Sequence, residues 1–236
     1  MKVGLIGDSL TEGRPGVSFY NVLKLQYPHI SFDNLGNPGE TIKSLFTRLE
    51  KAPLQSSYDL LIIWIGVNDV YSKLLKMQAQ PVAKGHIEFE EYCLKVVEKA
   101  HASSKNVVLV SPALVGEDLQ NHSNKELKDL TSVMESIALK SGNIYFVNMQ
   151  NIFKEHLEHL EHLECSGFIN TNVIRVLLDV LFYKNPLRID KLSQKRGLHL
   201  TLDGVHLNSK GADLVAQQYS SIIELYKDEG DKIRRF

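Results

Sequence analysis

Residues 59–69 read DLLIIWIGVND. From Leu60 to Ile65 the run is apolar without alternation, then it breaks into a glycine and a polar pair. A run this short is far below the roughly 18 apolar residues a membrane span needs, and a strand lacking polar positions is one buried on both faces. That pattern belongs to a parallel sheet covered on each side. Four more short runs read as strands: VGLI (3–6), ISFDNLG (30–36), NVVLV (106–110) and NIYFVNM (143–149). Stretches of helical period lie between them, near 17–27, 40–51, 86–102 and 125–141. Strands alternating with helices predict a three-layer α/β/α sandwich around a five-stranded parallel sheet.

The chain has 236 residues, 43% of them hydrophobic, with 27 Lys plus Arg against 28 Asp plus Glu. The length suits a single domain over 1–236, and the balanced charge offers no basic footprint for nucleic acid. Two cysteines, Cys93 and Cys165, cannot make a disulfide framework, which points to a reducing compartment. No signal-peptide layout precedes Asp8 and no run is long enough to span a bilayer, so the expected location is the cytoplasm. Cys93, among Phe89, Val96 and Val97, is expected in the core.

From 151 to 195 the alternation stops. Two helical segments are expected there, IFKEHLEHLEHLEC (152–165) and INTNVIRVLLDVLFYK (169–184). In the second, Thr171, Arg175 and Asp179 fall at i, i+4 and i+8, leaving an apolar surface of Val173, Ile174, Val176, Leu177, Leu178, Val180, Leu181 and Phe182. Such an insertion could pack on the body, form a lid over a pocket, or meet a second subunit. In the first, His156, His159 and His162 share part of one helix face, a pattern open to adventitious metal but more simply a polar face opposite Leu157, Leu160 and Leu163. A final helix is expected from an N-cap at Ser209 to Lys227.

In open parallel sheets, ligands meet the carboxyl ends of the strands at a topological switch point. Three polar loops should reach that edge: Gly7-Asp8-Ser9, Gly36-Asn37-Pro38-Gly39-Glu40-Thr41 and Gly66-Val67-Asn68-Asp69. Each alone is an ordinary turn. A fourth element, Asp203-Gly204-Val205-His206, places a carboxylate and an imidazole just before the last helix. Histidine is the usual proton acceptor for a serine hydroxyl at neutral pH, and a carboxylate on its other nitrogen fixes the tautomer.

Gly7-Asp8-Ser9-Leu10, Gly39 in Asn-Pro-Gly-Glu-Thr, Gly66-x-Asn68-Asp69 and Asp203-x-x-His206 resemble, in order and spacing, the four blocks of the SGNH or GDSL-type hydrolases, whose fold is flavodoxin-like. The resemblance implies Ser9 as nucleophile, His206 as general base and acid, and Asp203 as its orienting partner. It implies an oxyanion hole from the Ser9 and Gly39 N–H groups and the Asn68 amide, and no cofactor or metal. Asp8 and Asp69 are expected in supporting roles, tying down loop amides. Tyr71 and Val67, beside Asn68, stand as pocket-wall or packing residues. The implied reaction is hydrolysis of a small-molecule, carbohydrate or lipid ester through an acyl-serine; acyl transfer to another alcohol, or ligand binding without catalysis, are the alternatives. No Gly-x-Ser-x-Gly elbow and no Gly-x-Gly-x-x-Gly or Gly-Lys-Ser/Thr loop occurs, which sets aside the α/β-hydrolase and nucleotide-binding plans. An unperturbed His206 would titrate near about 6.5.

Overall fold

The computed structural model describes residues 1–55, 57–75, 80–160, 167–172, 178–179, 181 and 184–233, with side chains described up to 227. Five parallel strands form one sheet: β1 (Lys2–Gly7), β2 (Ser31–Gly36), β3 (Leu60–Trp64), β4 (Val107–Val110) and β5 (Ile144–Val147). Their spatial order is β2-β1-β3-β4-β5. Leu5 of β1 faces Asn34 on one side and Ile62 on the other, so β1 and β3 are neighbours although β2 lies between them in sequence. The chain reverses its direction of travel there, which makes the crevice beyond Gly7 and Trp64 the switch point.

The helices are α1 (Ser9–Glu12), α2 (Phe19–Gln26), α3 (Ile42–Lys51), α4 (Val67–Tyr71), α5 (His86–His101), α6 (His122–Ser141), α7 (Met149–Glu158), α8 (Pro186–Lys195) and α9 (Ser209–Ile233). All of β3 and β4 is buried, as their unbroken apolar runs require. On α5 the buried residues Phe89, Cys93, Val96, Val97 and Ala100 recur at helical spacing and form one stripe toward the sheet. On α3 a capping box closes the first turn: Thr41 Oγ1 accepts from the Ser44 N–H while Ser44 Oγ accepts from the Thr41 N–H. Helix α2 packs on α9, and its first residue, Phe19, meets Trp64 and Tyr219 edge to face at centroid distances of 5.7 and 5.0 Å.

The late part of the chain departs from expectation in four places. The helix expected through Cys165 ends at Glu158, with His159 as its cap; His162, Leu163 and Cys165 lie outside the described residues. The helix expected from Ile169 does not begin there: residues 167–172 are irregular, and Asn170 gives its N–H to the Asp203 carbonyl. Of its apolar face only Leu178 and Leu181 are described, and both are exposed, while Asp179, expected on the polar side, is buried against Arg196. Val173, Ile174, Arg175, Val176, Leu177, Val180 and Phe182 lie outside the described residues. A third helix, α8, begins with Asn185 as cap and Pro186 in its first turn. Finally, the cap of α9 is Asn208, not Ser209: Asn208 Oδ1 accepts from the Gly211 N–H at 3.0 Å, and the Ser209 N–H is taken by Asp190.

The aromatic contact of Phe19 ties a helix layer to β3. Phe19→Ala should cost about 3–5 kcal/mol of stability, measured by urea unfolding, because the site is enclosed and cannot collapse around the void.

Candidate active site

β1 ends at Gly7, and the next residue opens α1 by capping it: Asp8 Oδ1 accepts from the Leu10 N–H at 2.9 Å. Ser9 is thus the first helical residue beyond the carboxyl end of β1. Its Oγ lies 3.0 Å from His206 Nε2, and His206 Nδ1 lies 2.8 Å from Asp203 Oδ2. The other carboxylate oxygen of Asp203 accepts from the Val205 and His206 N–H groups at 3.1 and 2.8 Å. An ionised carboxylate only accepts, so Nδ1 carries the imidazole proton and Nε2 is left to accept from the serine hydroxyl. Ser9, His206 and Asp203 are 7%, 4% and 0% exposed, so this relay lies almost wholly out of water.

The loop that presents Asp203 and His206 is anchored from below. Glu117, in the connection from β4 to α6, is fully buried and accepts from the N–H groups of His199, Leu200 and Thr201 at 2.7, 2.9 and 2.9 Å. It also accepts from the Thr201 hydroxyl at 2.7 Å, and Thr201 pairs with Leu207 as an isolated antiparallel bridge. Charge-assisted bonds of this kind are stronger than neutral ones. Nothing in the local sequence around Glu117 signals this anchor, since its partners lie more than eighty positions away.

Asn68 and Gly39 complete the edge. Asn68, on α4 just past β3, donates through Nδ2 to Asp8 Oδ2 at 3.2 Å and to the Glu40 carbonyl at 3.1 Å. Both amide hydrogens therefore have acceptors, and a substrate oxygen reaching Asn68 must share one of them. Gly39 has φ +75°, in the region that favours glycine, and no heavy atom lies within 4 Å of where a Cβ would stand. Among the described residues, neither the Ser9 nor the Gly39 N–H has an acceptor. The turn carrying Gly39 is held by Glu40, whose buried carboxylate is gripped by Arg48 through Nε at 2.7 Å and Nη2 at 2.6 Å. Arg48 Nη2 also donates to the Leu35 carbonyl at 3.0 Å, tying the turn back to β2.

Electrostatics follow from burial. Burial opposes the charged form of His206, but the negative field and hydrogen bond of Asp203, with Asp8 and Asp179 nearby, outweigh it and raise the imidazole above its ordinary 6.5. The ordinary value near 6.5 holds only for an ordinary environment, and the carboxylates around His206 make this one different. Asp203 is pushed up by burial, yet His206 and the two N–H donors bring it below the usual carboxylate range. Asp8 and Asp69 are both raised to about 7, chiefly by burial. Asp69 Oδ2 accepts from the Ile42 N–H at 3.0 Å, so each of the two carboxyls holds an amide in the first turn of a helix. Val67 and Tyr71 are buried, and the Tyr71 hydroxyl donates to the Asn170 carbonyl.

Two other features do not join this edge. His159 Nδ1 lies 2.6 Å from the Glu155 carbonyl of its own helix, and no group of three His, Cys, Asp or Glu among the described residues is placed to hold a metal. A groove of about 300 Å³ along β5, lined by Tyr145, Asn148, Asn151, Ile152 and Leu225 among others, contains none of the four polar loops. No helix among the described residues is long and apolar enough to cross a membrane.

A family profile described as GDSL-like lipase/acylhydrolase matches residues 5–214, a span that takes in Ser9, Gly39, Asn68, Asp203 and His206. The chain belongs to the GDSL-like lipase/acylhydrolase family. This GDSL-like protein is similar in fold to several solved structures. One is the acetyl xylan esterase AlAXEase, at 21% identity and TM-score 0.69, covering 94% of this chain and 100% of that one. Another is Axe2, an acetylxylan esterase from Geobacillus stearothermophilus, at 22% and 0.64, covering 92% and 91%. A third is LAE5, an α/β hydrolase enzyme from the metagenome of Lake Arreo, Spain, at 19% and 0.65, covering 93% of each chain. No curated protein matches the sequence.

Asp69 gives this site a pH-dependent cost. Its folded pKa of about 7 lies above the ordinary 3.8, so the folded state keeps the proton longer and stability falls as pH rises through that window. Asp69→Asn removes the charge that burial penalises. It should raise the melting temperature by roughly 2–6 °C at pH 8 and by less at pH 5, where only part of the window has been crossed, read by paired thermal melts.

Proposed function

We propose that this GDSL-like protein is a serine esterase that hydrolyses a small acyl ester through an acyl-serine intermediate. The observation that carries the proposal is the continuous relay from Ser9 Oγ to His206 Nε2 at 3.0 Å and from His206 Nδ1 to Asp203 Oδ2 at 2.8 Å. Ser9 Oγ attacks the ester carbonyl carbon while its proton passes to His206 Nε2. The resulting oxyanion is held by the Ser9 and Gly39 N–H groups and by Asn68, which redirects or shares a hydrogen now given to Asp8 or Glu40. Collapse breaks the ester C–O bond, and the alcohol leaves with the proton from His206. Water then adds to the acyl-serine, gives its proton to His206, and the acid departs as Ser9 regains its hydrogen. Asp203, unable to move on its three hydrogen bonds, keeps the imidazole in one tautomer throughout.

Named relatives support this assignment. For Axe2, alanine variants at a serine, an aspartate and a histidine are described as catalytic mutants, and that aspartate and histidine stand three positions apart, as Asp203 and His206 do. Two of the similar structures are named as acetyl xylan esterases, which favours a short acyl group on a carbohydrate hydroxyl as the substrate class. We place the whole chain in one catalytic domain, working in the cytoplasm on a small-molecule ester.

Hydrolysis of 4-nitrophenyl esters of two to eight acyl carbons tests the reading. Acetate should be the preferred ester, and kcat/KM should fall on acidification with a midpoint above 6.5, because the raised His206 must be neutral to accept the proton. A rate independent of pH between 5 and 9, or one retained in His206→Ala, contradicts it. Asn68→Ala should lower kcat by about 10²–10³ with KM little changed, as for loss of one oxyanion donor.

A further inference from the structure

The insertion between β5 and the Asp203 loop touches both halves of the site. The Asn170 N–H donates to the Asp203 carbonyl at 2.8 Å, and the Asn170 carbonyl accepts from the Tyr71 hydroxyl. Tyr71 lies three residues beyond Asn68 on α4. A main-chain residue of the insertion therefore joins the helix that carries the amide donor to the residue that orients the histidine. Contact with the loop is close: Gly204 has φ +92°, and a Cβ there would stand 2.6 Å from the Phe168 carbonyl oxygen. A second fastening comes from Arg196, just past α8. Its Nη1 donates to Asp179 Oδ2 at 3.0 Å and to the Leu202 carbonyl at 2.8 Å, so a carboxylate of the insertion and the peptide preceding Asp203 share one guanidinium nitrogen. The side chains of this ion pair are 15% and 6% exposed, which spares it most of the screening that weakens surface pairs.

Taking the Ser9–His206–Asp203 assignment as its basis, we propose that the insertion is a positioning element of the reaction, in which Tyr71, Asp179 and Arg196 hold the loop of Asp203 and His206 in register with Asn68. Lifting residues 167–172 as the edge of a lid would break the main-chain bond from Asn170 to Asp203. The insertion also contributes charge. Among the described residues, the ionisable groups acting on His206 are Asp203 from its own loop, Asp8 from the β1–α1 turn and Asp179 from the insertion, with Arg196 beside the last. Neutralising Asp179 removes one anion that favours the imidazolium and leaves Arg196 without its counter-charge; both changes favour the neutral ring.

The test compares Tyr71→Phe and Asp179→Asn with wild type and Ser9→Ala, in the full chain, on 4-nitrophenyl acetate from pH 5 to 9, with thermal melts of each. Both positioning variants should lose about tenfold in kcat with KM within about twofold of wild type, as for small misplacements of reacting groups. The acid limb should move to lower pH in Asp179→Asn and stay in place in Tyr71→Phe. Tyr71→Phe removes a single hydroxyl and tests the link even if Asp179→Asn does not fold. Unchanged kcat with a lowered melting temperature overturns the proposal in favour of a purely structural brace. A raised KM with kcat intact overturns it in favour of a pocket wall. Activity that persists in Ser9→Ala, or is missing in wild type, instead overturns the esterase reading and this proposal with it.

Discussion

The 2.8 Å bond between Asp203 Oδ2 and His206 Nδ1 is the contact to which the rest of the working edge answers. It decides which imidazole nitrogen holds the proton, and so whether Ser9 faces an acceptor or a second donor. Both partners sit on one loop, three positions apart, which makes the bond local and easy to form. Keeping that loop opposite Ser9 is the harder problem, because Ser9 follows the first strand and His206 precedes the last helix. Glu117 beneath the loop and Arg196 and Asn170 against it are the solution this chain has.

The site is also a study in buried carboxyl groups. Glu40 is gripped by a two-pronged arginine, Glu117 accepts from main-chain N–H donors and one hydroxyl, and Asp203 accepts from the histidine three positions on. Asp8 and Asp69 have only one or two weak neutral donors each, and burial accordingly raises both to about 7. For Asp203 its partners outweigh the lost hydration and hold it below the usual carboxylate range. Asp8 and Asp69 are held near the edge of ionisation. That division separates groups that fix geometry by charge from groups that fix it by hydrogen bonding while giving up stability at alkaline pH.

The central strands were legible because a parallel sheet buries both faces and so writes itself as unbroken apolar runs such as Leu60–Ile65, whereas the edge strands β2 and β5 are only partly buried. Ser9, Asn68 and the Asp203–His206 pair were legible for a related reason: strand ends and one loop are fixed by the same topology, and each holds a residue type the chemistry requires. Glu117, Arg48 and Tyr71 were not legible. Their roles depend on backbone groups brought close only by the finished fold, and a carbonyl or N–H leaves no mark in the sequence. The insertion was misread where periodicity competes with hydrogen bonding. Residues 169–172 carry a pattern a helix could use, but Asn170 gives its N–H and carbonyl to Asp203 and Tyr71. At α9 the difference is one residue, because Asn208 and Ser209 are both good caps and the bond from the Gly211 N–H to Asn208 Oδ1 decides between them.

The most direct test of the central claim, that Ser9 is activated by the histidine–aspartate pair, is intact-mass analysis after exposure to a fluorophosphonate, which needs no knowledge of the substrate. Wild type should gain one adduct, Ser9→Ala should gain none, and Asp203→Asn, which leaves the ring in the wrong tautomer, should label far more slowly. An unlabelled wild type, or an adduct that survives in Ser9→Ala, contradicts the account.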